Sequence, residues 1–191
     1  MLSNKIDSEG LIASKVLDEK GTEVQLSSLF DSSVLLVFVR HFGCVGCTMQ
    51  MQALAPRLEE FNLLGLSTIV IGNGAPNFIE GFIERFQLQN KPIQIVTDPS
   101  LAIFKKANFK RSLWATYGPL ALWDYVKSFT KGVLQKTFEG DLTQQGGAIL
   151  LNKSKELVYY HQNKHVTDLS NLSDVVDEVY KILALENEDY V

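Results

Sequence analysis

The sequence predicts an α/β protein with a mixed central sheet, flanking helices and an N-terminal β-hairpin. Three observations predict this class. Apolar segments of strand length alternate with segments of helical periodicity, two later strands form a hairpin, and an amphipathic helix closes the chain. Strands separated by helices pair in parallel, whereas strands joined by a tight turn pair antiparallel. Since the 191 residues contain no linker, repeat or low-complexity tract, one domain spanning 1–191 is expected.

The N-terminal hairpin is predicted from two strand-like segments that flank a turn. The segments are Leu11–Leu17 and Glu23–Leu26, and Asp18–Gly21 between them has the composition of a tight turn. Val34–Arg40 is then predicted to be a buried strand, because it is apolar up to its terminal arginine.

Two helices and two strands are predicted to follow this strand. The first helix ends at Gly65, a favourable C-cap, and its apolar residues fall at helical spacing: Met51, Leu54, Ala55, Leu58 and Phe61. Leu66–Ile71 is predicted to be a strand buried on both faces. The second helix is entered through Pro76 and has the apolar residues Phe78, Ile79, Phe82, Ile83 and Phe86. Ile93–Thr97 is predicted to be the third core strand.

The middle of the chain contains a clear helix start and an ambiguous aromatic segment. Asp98 as cap and Pro99 in the first turn predict a helix from Ser100 to about Ala107. Residues 114–138 include both tryptophans, and we expect one helix there, from about Leu120 to Thr130. This segment is either a helical insertion that packs on the core, or a hydrophobic wall beside the cysteines that could serve as a homodimer contact.

The C-terminal part is predicted to be a strand hairpin and a helix. Ala148–Leu151 and Glu156–Tyr160 are the strands, and Asn152–Lys155 is the turn. The helix has one apolar face, formed by Leu172, Val175, Val176, Val179, Ile182 and Leu183. Glu186–Val191 is expected to be a frayed acidic tail.

Composition disfavours several classes of function. The net charge is −4 and no block of basic residues is present, so a nucleic-acid surface is not expected. The longest apolar run, Val34–Val39, is too short to cross a bilayer, and Met1–Asp7 lacks the apolar run of a secretory signal. We therefore expect a cytoplasmic protein without a membrane partner.

The only two cysteines form a C-x-x-C tetrad, Cys44-Val45-Gly46-Cys47, between the first core strand and its helix. A helix N-terminus supplies unpaired N–H groups and the positive end of the dipole, which favour a thiolate over a thiol. Two intervening residues allow both sulfurs to meet within one turn. The tetrad therefore predicts a reversible Cys44–Cys47 disulfide and thiol redox chemistry.

Two other interpretations of the tetrad remain open. It is half of a zinc site if His161 and His165 fold back onto it, although a structural zinc site takes four ligands and no second cysteine pair exists. Alternatively, both cysteines are inert core residues. Gly43 and Gly46 favour tight, exposed backbone over core packing, and so favour redox chemistry.

The order of elements is the thioredoxin arrangement with one additional element, and three segments resemble one family within it. Leu35–Cys47 resembles the active-site strand and corner of AhpC/TSA peroxiredoxin-like proteins, in particular the peroxiredoxin-like 2 group. Thr97–Pro99, followed by Phe104–Ala107, resembles that family's Asp-Pro helix start, and Gln145–Ala148 resembles its Gln-Gly-Gly strand entry. The resemblance extends from about Asp31 to Tyr160.

The resemblance implies a thioredoxin-like fold and a thiol-dependent oxidoreductase that reduces peroxides or related oxidised small molecules. It implies no bound cofactor, because electrons come from a thioredoxin- or glutathione-type thiol donor, with NADPH acting only through a partner reductase. The family also includes prostaglandin F synthase-type enzymes, so reduction of a lipid endoperoxide is an alternative. A non-catalytic redox sensor or adaptor that uses the aromatic segment is another.

Two alignments assign opposite roles to the cysteines. The peroxiredoxin motif P-x-x-x-[ST]-x-x-C places Arg40 at the proline, Cys44 at the hydroxyl residue and Cys47 at the peroxidatic cysteine. The thioredoxin alignment makes Cys44 the attacking thiol and Cys47 the resolving one, with Gly147 at the position of the cis-proline. We predict that Cys44 attacks, because it lies nearest the free N–H groups of the helix.

Three further residues are candidates for supporting roles, and each has a structural alternative. Arg40 either favours the thiolate or pairs with a surface carboxylate. His41 either transfers a proton during exchange or hydrogen-bonds to backbone. Arg111 lies where peroxiredoxins place an arginine near the thiol, and is otherwise a solvated residue after a helix.

Overall fold

The computed structural model describes residues 6–43, 45–112, 140–164, 168 and 171–188. Its strands are β1 Lys15–Leu17, β2 Glu23–Gln25, β3 Ser33–Phe38, β4 Leu66–Gly72, β5 Gln94–Thr97, β6 Gly147–Leu151 and β7 Leu157–Gln162. Its α-helices are α1 Ser8–Ile12, α2 Val45–Leu54, α3 Leu58–Leu63, α4 Ile79–Phe86, α5 Ala102–Lys106 and α6 Leu172–Glu188. Short 3-10 helices span Leu26–Leu29, Ala55–Arg57 and Pro76–Phe78.

One seven-stranded mixed sheet organises the described residues, in the order β2-β1-β5-β4-β3-β6-β7. The three core strands β3, β4 and β5 are parallel, whereas β1 and β6 join them antiparallel. The hairpins β1–β2 and β6–β7 form the two edges. The predicted α/β class, with its mixed sheet and N-terminal hairpin, is confirmed. That residues 1–191 form one domain stays a prediction.

Strand β3 lies at the centre because both of its faces are covered. Leu35 and Val37 belong to one hydrophobic core, together with side chains of α2, α3, α4 and α6. Val34, Leu36 and Phe38 belong to the other core, which includes side chains of α1 and α5. Alternate residues of a strand point to opposite faces, so a strand covered on both sides is apolar throughout. This arrangement holds the carboxyl end of β3 rigidly in the middle of the sheet.

The start of the first hairpin differs from the prediction. Leu11 and Ile12 belong to α1, and β1 begins at Lys15. The Asp7 side chain accepts a hydrogen bond from Gly10 N at 2.9 Å, which caps the helix. Leu11 is fully buried, so apolar character here reflects helix packing on the sheet instead of a longer strand.

The helix after the tetrad is divided where one continuous helix was expected. Helix α2 ends at Leu54, a 3-10 turn spans Ala55–Arg57, and α3 follows. The division falls at Pro56, whose ring lacks an N–H and clashes with the preceding helical turn. Gly65 follows the C-cap of α3 with φ +72°, so the predicted terminating role of this glycine is confirmed.

Asp98 caps its helix from a greater distance than predicted. Helix α5 begins at Ala102 instead of Ser100, after Leu101 at φ 62°. Asp98 Oδ1 accepts from Ser100 N at 2.9 Å, and Oδ2 accepts from Ile103 N at 2.8 Å. The carboxylate therefore serves both a turn and the helix start, which explains why the helix begins later than the Asp-Pro pattern suggests.

The C-terminal hairpin and helix form as expected, with a longer helix. Strands β6 and β7 pair antiparallel around the turn at 152–155, and Lys155 in that turn has φ 65°. Helix α6 continues to Glu188, beyond the Glu186 where fraying was expected to begin. The aromatic segment 114–138 and the last residues, 189–191, lie outside the described residues.

Candidate active site

The candidate site is the corner between β3 and α2, at the carboxyl edge of the parallel strands. The strand ladder ends with Val39 N donating to Ile71 O at 2.9 Å. Residues 40–43 then cross the edge of the sheet in buried positions, and α2 begins at Val45. Parallel α/β sheets place their reactive groups at this edge, because the strand ends and the helix N-termini converge there.

Cys47 is the third residue of α2 and its side chain is covered. It is 5% exposed and lies in the hydrophobic core with Met51 and Leu54, which follow it at helical spacing on the buried face. Arg40 N donates to Cys47 Sγ at 3.2 Å, so the strand end and the thiol are linked directly. Cys44 lies outside the described residues, and with it the predicted disulfide geometry.

Arg40 is buried beside this thiol, and its guanidinium extends to a distant segment. The residue is 2% exposed, and its Nη2 donates to Leu142 O. A buried guanidinium is held by hydrogen bonds to fixed acceptors, which keeps its positive charge at one place. Arg40 is therefore buried at the corner, where its amide donates to the Cys47 sulfur and its side chain donates to the Leu142 carbonyl.

Residues 140–146, here called the edge segment, lie along the same edge of the sheet. Asn73 Nδ2, after β4, donates to Asp141 O at 3.2 Å. Gln144 Nε2 donates to Phe109 O at 3.2 Å, and Gln145 N donates to Lys110 O at 3.1 Å. The edge segment thus connects the end of β4 with the residues that follow α5, and through Leu142 it holds Arg40.

Arg111 contacts the edge segment through Asp141. Its side chain is 64% exposed and pairs with Asp141, whose carboxylate also accepts from Thr143 N at 2.8 Å. Burial raises the pKa of the Asp141 carboxyl, but the hydrogen bonds from Thr143 and the charge of Arg111 outweigh it and lower the pKa below 3.8. Arg111 therefore stabilises the segment that holds Arg40.

His41 is buried next to two arginines and is neutral at physiological pH. It is 2% exposed, and no described residue offers a hydrogen-bond partner to its Nδ1. Burial, together with the charges of Arg40 and Arg85, lowers the pKa of His41 from 6.5 to about 4. With a pKa of about 4, the imidazole is neutral near pH 7 and is also a weak proton acceptor, so the shift does not favour a proton-transfer role for His41.

Arg85 and Phe42 are site residues that the sequence analysis missed. Arg85, in the last turn of α4, donates from Nη1 to Phe42 O at 2.8 Å. The Phe42 ring packs edge-on against Phe82 at 5.1 Å between centroids, and a Cβ at Gly72 would lie 2.4 Å from that ring. Residues 42 and 85 are far apart in sequence, so no local pattern indicates this contact.

Gly146 and Gly147 lead into β6, and Gly147 is the residue that the thioredoxin alignment predicts at the cis-proline position. Gly147 pairs with Phe38 in the ladder, and no cis peptide bond occurs in the described ranges. A Cβ at Gly146 would lie 2.2 Å from Phe38 O and 3.7 Å from Arg40 N. Gly146 therefore allows the backbone before β6 to approach the residue that binds the thiol, and it is closer to the site than Gly147 is.

The mixed sheet, with a buried thiol at the β3–α2 corner, has the thioredoxin-like architecture of peroxiredoxin-like proteins. Residues 51–165 match the family model of the AhpC/TSA antioxidant enzymes. The chain belongs to this family. Human Peroxiredoxin-like 2C is 30% identical over 180 residues, which cover 86% of this chain and 76% of the human protein.

Other relatives have different names within the same family. Thioredoxin-like protein AAED1, chloroplastic, of Arabidopsis thaliana is 28% identical over 155 residues, which cover 76% of this chain and 61% of that protein. Prostamide/prostaglandin F synthase of Salmo salar is 29% identical over 149 residues, which cover 74% and 71%. The chain thus spans about three fifths of the plant protein's length.

Solved structures share the fold. The bacterioferritin comigratory protein of Xanthomonas campestris, studied for alkyl peroxide reduction, superposes with a TM-score of 0.62 at 14% identity, covering 94% of this chain and 95% of that one.

Within the described part of the chain, no helix has the length and apolarity needed to cross a membrane. Nor do three His, Cys, Asp or Glu side chains among the described residues cluster as metal ligands.

Proposed function

We propose that the protein is a thiol-dependent peroxidase that reduces peroxides with Cys44 and Cys47. The observation that carries this proposal is the position of Cys47. Its sulfur is in the first turn of α2, 5% exposed, and receives the Arg40 N–H at 3.2 Å. A buried sulfur bound to backbone at a strand-to-helix corner, with the second cysteine three residues before it, suits a resolving thiol.

The proposed roles follow from access and from the helix. Peroxide must reach the attacking sulfur, and Cys47 is covered by the core that includes Met51 and Leu54. Cys44 immediately precedes the first residue of α2, where unpaired N–H groups and the dipole favour a thiolate. We therefore assign attack to Cys44 and resolution to Cys47, in agreement with the thioredoxin alignment.

The proposed cycle balances without a bound cofactor. The Cys44 thiolate attacks the peroxide O–O bond, which breaks, and an alcohol or water leaves with one proton while Cys44 becomes a sulfenic acid. The Cys47 thiol then displaces water from that sulfenic acid and forms the disulfide. A dithiol donor of the thioredoxin type, or two glutathione thiols, reduces the disulfide, and NADPH supplies electrons through that donor's own reductase.

A coupled assay with single-cysteine variants tests the proposal. Hydrogen peroxide and an alkyl hydroperoxide are supplied with thioredoxin or glutathione, the matching reductase and NADPH. Wild type should consume NADPH in proportion to peroxide. Cys44→Ser should abolish turnover, whereas Cys47→Ser should react once and yield a sulfenic acid that dimedone traps.

Two results would contradict the proposal. A dimedone adduct formed only by Cys44→Ser would reverse the roles and make Cys47 the peroxidatic residue. The absence of NADPH consumption with every peroxide and donor would refute the peroxidase function itself. In that case, a partner that binds only the oxidised or only the reduced protein would indicate a redox adaptor.

A second candidate substrate is a lipid endoperoxide, favoured by the similarity to the Salmo salar synthase. Here the two thiols would supply two electrons and two protons, the ring O–O bond would break to two hydroxyls, and the disulfide would form. Adding a prostaglandin endoperoxide to the same assay, with the diol measured by mass spectrometry, separates this activity from hydroperoxide reduction. Turnover of hydroperoxides alone would exclude it.

A further inference from the structure

Helix α4 holds Phe42 at both its ring and its carbonyl group. Phe82 packs against the ring at 5.1 Å, and Arg85, three residues later, donates to the carbonyl oxygen at 2.8 Å. Residues three apart in a helix lie on the same side, so one face of α4 makes both contacts. Phe42 is 2% exposed and lies two residues before Cys44. The backbone that leads into the tetrad is therefore fixed by α4.

Arg85 also contributes charge to the corner. The charged groups that act on His41 are Arg40, from the residues after β3, and Arg85, from α4. With His41 neutral, the guanidinium groups of Arg40 and Arg85 supply positive charge near residues 40–43. Positive charge near a thiol increases the thiolate fraction, and the thiolate is the nucleophile.

We propose that Arg85 is a positioning residue for the thiols: it fixes the Phe42 carbonyl and thereby the backbone that presents Cys44, and its charge favours the thiolate. This inference depends on the proposed function in taking the tetrad as reactive. Without the guanidinium, the buried carbonyl would lose a charged donor and the corner would relax. Lysine would retain the charge but not the planar fork that reaches the carbonyl.

Arg57 provides a matched control within the same chain. Its guanidinium lies over the Phe61 ring at 5.6 Å from the centroid, as that of Arg85 lies over Phe86 at 6.0 Å. Arg57 pairs with Glu60 and, within the described residues, makes no hydrogen bond or ion pair with residues 40–43. Removing Arg57 therefore also removes an arginine from a phenylalanine ring, but it leaves the Phe42 carbonyl bonded.

The test measures the rate of thiol alkylation by iodoacetamide from pH 5 to pH 9 on the reduced protein, without peroxide. Arg85→Gln should slow alkylation at pH 7 by about three- to tenfold and move the profile to higher pH, the effect expected from loss of one nearby charge. Arg85→Lys should lie between Arg85→Gln and wild type, and Arg57→Gln should match wild type. This pattern supports the inference.

Other patterns overturn it. If Arg85→Gln folds and its profile coincides with that of wild type, or if Arg57→Gln shifts equally, Arg85 has no special role. If Arg85→Gln does not fold, Arg85→Lys decides: slower alkylation than in Arg57→Lys supports the inference, and equal rates refute it. Because alkylation requires neither peroxide nor reductant, a shifted profile in a protein without peroxidase turnover would refute the proposed function alone.

Discussion

Replacement of His41 by glutamine should make the protein less sensitive to mild acid. The folded protein holds this histidine buried and neutral, and its pKa falls from 6.5 to about 4 through burial and the charges of Arg40 and Arg85. The unfolded chain has no such restriction and binds a proton near pH 6.5. Between these two values the unfolded state carries more protons, so the free energy of unfolding falls as the pH falls.

The size of the effect follows from the two pKa values. The gap from 6.5 to about 4 corresponds to about 3 kcal/mol, at about 1.4 kcal/mol for each pH unit. Roughly 2 kcal/mol of that is lost between pH 7 and pH 5, because the unfolded histidine is almost fully protonated at pH 5 while the folded one is still mostly neutral. The Asp141 carboxyl does not contribute in this window, because its folded pKa lies below 3.8.

Urea denaturation at pH 7 and pH 5, followed by circular dichroism, measures the effect. Between pH 7 and pH 5, the free energy of unfolding of wild type should fall by about 2 kcal/mol more than that of His41→Gln. This difference does not depend on how stable the variant is at pH 7. His161→Gln, on β7 beside Asp168 at 3.4 Å, measures how much of the pH dependence comes from another histidine.

Equal losses in wild type and His41→Gln would refute the reasoning. The imidazole would then be protonated or hydrated in the folded state, and its burial near Arg40 and Arg85 would not control its charge. A larger loss in the variant would also contradict it. Direct titration of the His41 ring by NMR would separate these cases, because a neutral ring at pH 5 is the specific expectation.

Four further substitutions test the packing and capping that support the fold around the corner. Gly72→Ala should lower the free energy of unfolding by about 1–3 kcal/mol, because the added methyl would meet the Phe42 ring. Gly81→Ala, on the open face of α4, should raise the free energy of unfolding by about 0.5–1 kcal/mol. Chemical denaturation measures both changes. Asp98→Ala should lower it by about 1–2 kcal/mol through loss of the α5 cap, and an unchanged denaturation midpoint would contradict this. Asp141→Asn should increase hydrogen exchange in the edge segment. The ionised Asp141 carboxylate stabilises the folded wild type above pH 3.8, and this stabilisation is lost as the pH falls through the lower folded pKa. Asp141→Asn lacks the carboxylate, so its free energy of unfolding should fall less over that pH range.

The elements of the fold were predictable where the signal is local. Strand β3 is apolar at every position after Ser33 because the sheet is covered on both sides. The 66–71 strand and the C-terminal hairpin follow from similar patterns and turns. Errors occurred where a tertiary contact decides between local options. Leu11 belongs to a helix because it packs on the sheet, and α5 begins late because Asp98 also binds a turn.

The site was only partly predictable for the same reason. The tetrad and its place between β3 and α2 are evident from the sequence, because strand, cysteines and helix are consecutive. Helical spacing alone places Cys47 with Met51 and Leu54 on one face, which anticipates its burial. The residues that bind this corner could not be predicted in the same way, because they are distant in sequence. Arg40 binds Leu142, and Phe42 binds Arg85.

The sequence by itself therefore determined the class of fold, the family resemblance and the position of the thiols. These depend on periodicity and on motifs that span a few consecutive residues. Only the tertiary structure decided which side chains surround Cys47, that His41 is neutral, and that Arg111 pairs with Asp141 in the edge segment. Those properties depend on burial and on contacts between residues that are distant in sequence, such as Arg111 with Asp141 and His41 with Arg85, which no local pattern encodes.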